Sequence, residues 1–106
     1  MSCSLVFQNA YAGPIAVANI VNFDDVAKTI DSTGTLGDLV KAKILRRGVV
    51  IEQTTYVPNT GNNQLPYTSN LQNGDQLCVV ATYIGGGENE DCGFIPTPGL
   101  GFVPIS

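Results

Sequence analysis

The chain has 106 residues, a net charge of −4 and 13% charged residues, against ~25% in an average soluble domain. That length suits one domain with a modest core, and the acidic balance argues against a nucleic-acid binder. Histidine is absent, which removes the commonest general base, the commonest transition-metal ligand and every Ser-His or Cys-His pair.

In chain order, the start lacks the positive region and long apolar run of a secretory leader. No stretch reaches the ~18 apolar residues of a membrane span. Residues 4–8 read as a strand, Gly13-Pro14 as a turn and 15–21 as a second strand, together a hairpin. Asn22-Phe-Asp-Asp25 has the form of an N-cap with acid in the first turn, predicting a short helix over 23–30 that Asp31-Ser-Thr-Gly34 closes. Thr35-Leu-Gly-Asp38 is a capping-box variant. Leu36, Leu39, Val40 and Ile44 follow at helical spacing, so the main helix is expected over 35–44, with Gly48 as its stop. Lys41, Lys43, Arg46 and Arg47 then read as its solvated face and positive C-terminal end.

Residues 49–57 are rich in β-branched side chains and predict a strand ended by Pro58, with Glu52 facing solvent. Residues 59–63 form a turn-rich loop and 65–71 an irregular crossover. Asn73-Gly74 marks a turn before a strand over 77–84, whose apolar residues occupy both faces, as in the middle of a sheet. Gly85-Gly86-Gly87 follows, then Glu88-Asn-Glu-Asp91, read as a solvated acidic loop rather than a metal site because EF-hand spacing is missing. The end, Ile95-Pro-Thr-Pro-Gly-Leu-Gly-Phe-Val-Pro-Ile-Ser106, has three prolines and two glycines, which exclude a helix or central strand. It is nonetheless too apolar for a solvated tail.

Cys3, Cys78 and Cys92 are an odd set without C-x-x-C spacing, so free thiols in a reducing compartment are expected, with no disulfide and no zinc. Gly34-Thr-Leu-Gly37 lacks the Lys-Ser/Thr of a phosphate-binding loop. No cofactor, metal or small-molecule site emerges.

The order hairpin, helix, strand, irregular crossover and central last strand resembles the β-grasp, or ubiquitin-like, fold. The resemblance rests on 35–44 as the helix across the sheet, on 49–57, and on Leu71-Gln-Asn-Gly-Asp-Gln-Leu77 leading into the last strand. It is closest to small sulfur carriers, whose last strand precedes a diglycine, although here the glycines are followed by nineteen residues. The resemblance implies an α+β domain, a small mixed sheet with one helix across it, over residues 1–84. Residues 85–106 would form a glycine joint, acidic loop and apolar arm.

Function is expected to be structural rather than enzymatic. Sparse charge, loops rich in Asn, Gly and Thr, and an apolar arm suit a subunit that docks on neighbouring protein, with Phe94, Ile95, Leu100, Phe102 and Val103 making the contact. A small virion accessory or capsid-decoration protein has this composition, placing the chain in a virion if viral and in the cytoplasm otherwise. Partners would be protein subunits, itself included, with no nucleic acid and no membrane. The alternative is a ubiquitin-like binding module, a sulfur-carrier-type protein or an accessory subunit of an enzyme complex.

Overall fold

The computed structural model describes residues 15–95. These form eight strands: β1 (Asn22–Asp24), β2 (Thr29–Thr33), β3 (Leu39–Arg46), β4 (Val49–Gln53), β5 (Val57–Pro58), β6 (Asn62–Pro66), β7 (Gln76–Thr82) and β8 (Glu88–Phe94). One antiparallel sheet has the order β1-β2-β6, and a second has the order β4-β3-β7-β8, with β5 also pairing β3. Both helices expected from the sequence are absent among the described residues, and the architecture there is all-β rather than α+β. The β-grasp resemblance therefore loses the helix on which it rested.

The main misreading lies in 39–46. Val40, Ala42 and Ile44 are buried and alternate with partly exposed Lys41 and Lys43, the period of two that marks a half-buried strand. Leu36, assigned to a helical apolar face, is 53% exposed instead. Arg47 and Gly48 both have positive φ, 54° and 79°, and as the two residues between β3 and β4 they form the tight hairpin turn that demands this conformation. Gly48 thus turns a hairpin where a helix stop was expected.

The shorter helix fails for a related reason. Asp24 Oδ1 accepts hydrogen bonds from the backbone N–H groups of Val26 and Ala27, 2.9 and 3.0 Å. The acid caps a turn between β1 and β2 rather than a helix start, an alternative that Asp side chains always offer the backbone. Residues 15–21 make one isolated bridge, Val17 to Leu36, and otherwise run between β2 and β8: Val21 N–H donates to the Asp31 carbonyl at 3.0 Å and Ser32 Oγ to the Asn19 carbonyl at 2.6 Å. The Asp91 carboxylate accepts from Ile20 N–H at 2.9 Å, and the Asn89 amide donates to the Ala16 carbonyl. The hairpin partner proposed over 4–8 lies outside the described residues.

The expected strand over 77–84 is present as β7, between β3 and β8, with five consecutive buried residues. The two sheets share one core: Phe23, Ile30, Leu65 and Tyr67 from the first meet Val40, Ala42, Ile44, Leu77 and Val79 from the second. Ile95 belongs to the same core at 2% exposure. No division of the chain falls at residue 85, because β8 pairs with β7 along its whole length, from Thr82–Glu88 to Gln76–Phe94. Gly85-Gly86-Gly87 is the turn of that hairpin, with Gly85 at φ 81° and Gly86 N–H bonded to the Tyr83 carbonyl. In the intact chain these glycines therefore lie inside a hairpin rather than at a terminus.

Candidate interaction surface

One face of the β4-β3-β7-β8 sheet covers the core; the other is the candidate site. Antiparallel register places directly paired residues on one face, so the outer face reads in rows: Leu39–Thr82–Glu88, Lys41–Val80–Glu90, Lys43–Cys78–Cys92 and Leu45–Gln76–Phe94. Its middle is roofed by charge. Lys43 Nζ lies 3.0 Å from Glu90 Oε2, and Lys41 Nζ donates to Gln53 Oε1 at 3.0 Å while lying 4.9 Å from the centroid of the Tyr56 ring. The Tyr56 hydroxyl donates to Glu88 at 2.7 Å; burial, with that bond, pushes the phenol pKa up to about 12. Beneath this roof Val80 and Cys78 are 3% and 1% exposed, covered in part by the lysine stems.

The basic cluster and the acidic segment of the sequence are thus two sides of one arrangement, brought together across β7. Glu88-Asn-Glu-Asp91 is a strand rather than a solvated loop, and its acids divide between faces: Glu88 and Glu90 outward, Asp91 inward to Ile20. Arg46 is engaged elsewhere. Its Nε and Nη2 donate to the two oxygens of buried Asp75, both at 2.9 Å, and Nη2 also donates to the Asn70 carbonyl. The Arg46 hydrogen bond, against the opposing effect of burial, holds the Asp75 carboxyl below the usual carboxylate range.

Cys78 and Cys92 form a disulfide, correcting the expectation of free thiols. The two residues are paired in register with Cα atoms 4.1 Å apart, near the spacing of the closer, non-hydrogen-bonded cross-strand pair. Cys3 lies outside the described residues. A bond of this kind is characteristic of oxidising settings, where disulfides persist, rather than of the reducing one in which free thiols are expected. A usable signal was present: both cysteines are equidistant in sequence from Gly85, at the turn of their hairpin. Glu52, expected to face solvent, instead ties β4 to the segment after β6. It accepts from the backbone N–H groups of Thr68 and Ser69 and from both hydroxyls. Burial pushes its pKa up, but these donors outweigh that and leave it lowered.

At one end the charged roof stops. The row Phe94–Gln76–Leu45 continues onto β4 through the pair Leu45–Val50. Phe94 is 56% exposed and Val50 43%; Val49 and Ile51 beside it are also exposed, and Ile51 is displaced by a bulge between the Ile44 and Leu45 pairings. β4 ends the sheet order; its five residues include neither Lys nor Pro, and its protection as an edge comes from Glu52 and the bulge. Of the arm residues expected to contact a partner, Phe94 sits on this face, Ile95 is buried in the chain's own core, and Leu100, Phe102 and Val103 lie outside the described residues. Leu45, Val49 and Val50 were missed because they read as helix end and strand interior; only register shows Leu45 and Val50 in the row that ends at Phe94.

No protein-family model, no curated protein and no solved structure matches this chain. Among the described residues no helix is long and apolar enough to cross a membrane.

Proposed function

We propose that the chain is a non-enzymatic structural subunit that docks on neighbouring protein through the apolar end of its outer sheet face. The observation that carries this reading is the group of exposed Val49, Val50 and Ile51 on the edge strand β4, with exposed Phe94 at the same end of the sheet. Exposed apolar side chains gathered in one region mark interaction sites more often than isolated ones do. The sequence beyond Ile95 holds further apolar residues, Leu100, Phe102 and Val103. A small virion accessory or decoration protein is the form of this role that sparse charge suits, and the Cys78–Cys92 disulfide accords with a particle exposed to an oxidising medium.

The test is assembly. The double variant Phe94→Ser, Val50→Thr should keep its far-ultraviolet circular dichroism and fail to join the native particle or complex. A wild-type chain recovered from its source as a free monomer, with no crosslink through this face, would overturn the reading.

A further inference from the structure

The sheet β4-β3-β7-β8 has a second edge, β8, whose seven residues all pair with β7 without a bulge. In an antiparallel ladder, successive residues point their N–H and C=O groups alternately at the partner strand and away from it. The 4.1 Å Cα separation of Cys78 and Cys92 marks a non-hydrogen-bonded pair. Ile95 N–H, donating to the Asp75 carbonyl at 2.9 Å, fixes the same alternation. Glu88, Glu90, Cys92 and Phe94 therefore aim both backbone groups along the free edge, and no described residue supplies them with a partner. Edges are normally guarded by lysine, proline, a bulge, free charge or a covering segment. β8 has no Lys, Pro or bulge, and its acids are engaged within the chain, Glu88 by Tyr56, Glu90 by Lys43 and Asp91 by Ile20. A covering segment is what remains.

The hairpin expected between 4–8 and 15–21 finds both sides of 15–21 occupied. On one side Val17 exchanges both backbone bonds with Leu36, at 2.9 and 2.8 Å, and Val21 N–H donates to the Asp31 carbonyl. On the other, the Asn89 amide donates to the Ala16 carbonyl and the Asp91 carboxylate takes the Ile20 N–H. These contacts also set a direction. Ala16 lies by Asn89 and Ile20 by Asp91, so 15–21 runs the same way as β8 and Ile15 lies at the Glu88 end. A chain that enters Ile15 through a turn at Gly13-Pro14 arrives from the opposite direction, antiparallel to β8. Five extended residues span about 17 Å, within the length of the seven-residue edge, and residues 9–14 are left to make the turn.

We propose that the free edge of β8 is a strand-acceptor site, and that residues 4–8 of the same chain fill it, antiparallel to β8. Ser4-Leu-Val-Phe-Gln8 has strand formers at its centre and neither Pro nor Gly, and residues 1–14 hold no Asp or Glu to repel an acidic strand. The β8 of a second copy would instead set Glu88, Glu90 and Asp91 against the same three acids. The segment after Ile95 contains Pro96, Pro98 and Pro104, which cannot donate to a ladder. In place, the added strand guards the edge against pairing with other copies. The inference is independent of the docking reading, which uses the side chains of Val49, Val50, Ile51 and Phe94 rather than the backbone edge of β8.

The experiment is amide hydrogen exchange by nuclear magnetic resonance on the full-length, disulfide-intact chain, with cross-strand proton contacts read in a mixture of two differently isotope-labelled copies. The N–H groups of Glu90 and Cys92 should be protected, and contacts should join residues 4–8 to β8 within one copy. Val6→Pro, in the middle of the segment, should speed exchange at Glu90 and Cys92 by about tenfold or more, because proline breaks strand pairing. Exchange at Val79 and Asp91, which bond each other in the β7–β8 ladder, should stay unchanged in that variant. Should Val6→Pro fail to fold, the wild-type protection and contacts decide by themselves. Unprotected Glu90 and Cys92 in the wild type would overturn the proposal, as would their exchange unchanged in a folded Val6→Pro. Contacts from the β8 edge to residues 96–106, or to a second copy, would overturn it equally by giving the edge another occupant.

Discussion

Asp75 is 1% exposed and is held by the Arg46 guanidinium and by the Gln72 N–H at 2.8 Å. It joins the end of β3 to the turn before β7. Its folded-state pKa is depressed, so its contribution is fully present above the ordinary carboxylate value of about 3.9 and is lost as pH falls through the lowered folded value. Asp75→Asn should cost about 1.5–3 kcal/mol at pH 7, the range for hydrogen bonds to charged groups. Urea denaturation at pH 7, 4, 3 and 2 should show that difference shrinking only below about pH 4; a constant difference would mean the carboxylate's charge contributes nothing. Core truncation divides in the same way by face. Ile44→Ala, at a site 1% exposed, should cost about 2–5 kcal/mol in urea denaturation. Leu39→Ala should cost clearly less, because Leu39 lies on the outer face and is only partly buried. Both side chains would have been core had 35–44 been a helix.

The β7–β8 hairpin is the element that organises the outer face. Its turn comes from Gly85-Gly86-Gly87, its register sets Cys78 opposite Cys92, and its second strand carries Glu88 and Glu90 to Tyr56 and Lys43. The disulfide closes a loop of sequence separation 14, and constraint of the unfolded chain by a loop of that size is worth about 3 kcal/mol. Thiol titration of the unfolded, unreduced chain should therefore find one group, Cys3, and three after reduction. Reduction should lower the urea midpoint without abolishing folding, since the hairpin keeps its ladder and its inner-face packing. Three reactive groups before reduction would remove the bond and return the chain to a reducing compartment. The β3–β4 hairpin shows how a local signal can be seen and assigned to the wrong element. Gly48 was recognised as a stop, and the positive φ of Arg47 beside it makes the pair a hairpin turn.

At the scale of the whole molecule, Phe94 and Ile95, expected to belong to a C-terminal arm, are respectively the end of β8 and part of the core. Deletion from residue 94 would remove the end of β8 and Ile95 from the core, so it cannot separate docking from folding. Removal of 96–106 alone should leave the circular dichroism and the urea midpoint within about 0.5 kcal/mol of wild type, the usual scale of changes away from the core. The same truncation should weaken incorporation into the assembly, measured by co-purification with the native particle. A truncated chain that unfolds would show these residues to be part of the chain's own packing.

Several features were legible from the residues alone. The run Leu77-Cys-Val-Val-Ala81 is apolar on both faces and could lie only in the middle of a sheet, because an edge or half-exposed strand would leave one face of it in water. Asn73-Gly74 announced a turn because glycine adopts positive φ without a steric penalty, whereas Gly85-Gly86-Gly87, read as a joint before an arm, turned out to close a hairpin. What the residues left open was the period of 35–47. Leu36, Leu39, Val40 and Ile44 satisfy a helix, while Val40, Ala42 and Ile44 satisfy a strand; over so few residues the two patterns overlap. The choice fell to non-local pairing, β7 on one side of β3 and β4 with β5 on the other. That same pairing, with β8 added beside β7, brought Lys43 to Glu90 from distant parts of the sequence. Register, a property of two strands together, is what set them side by side and put Cys78 opposite Cys92.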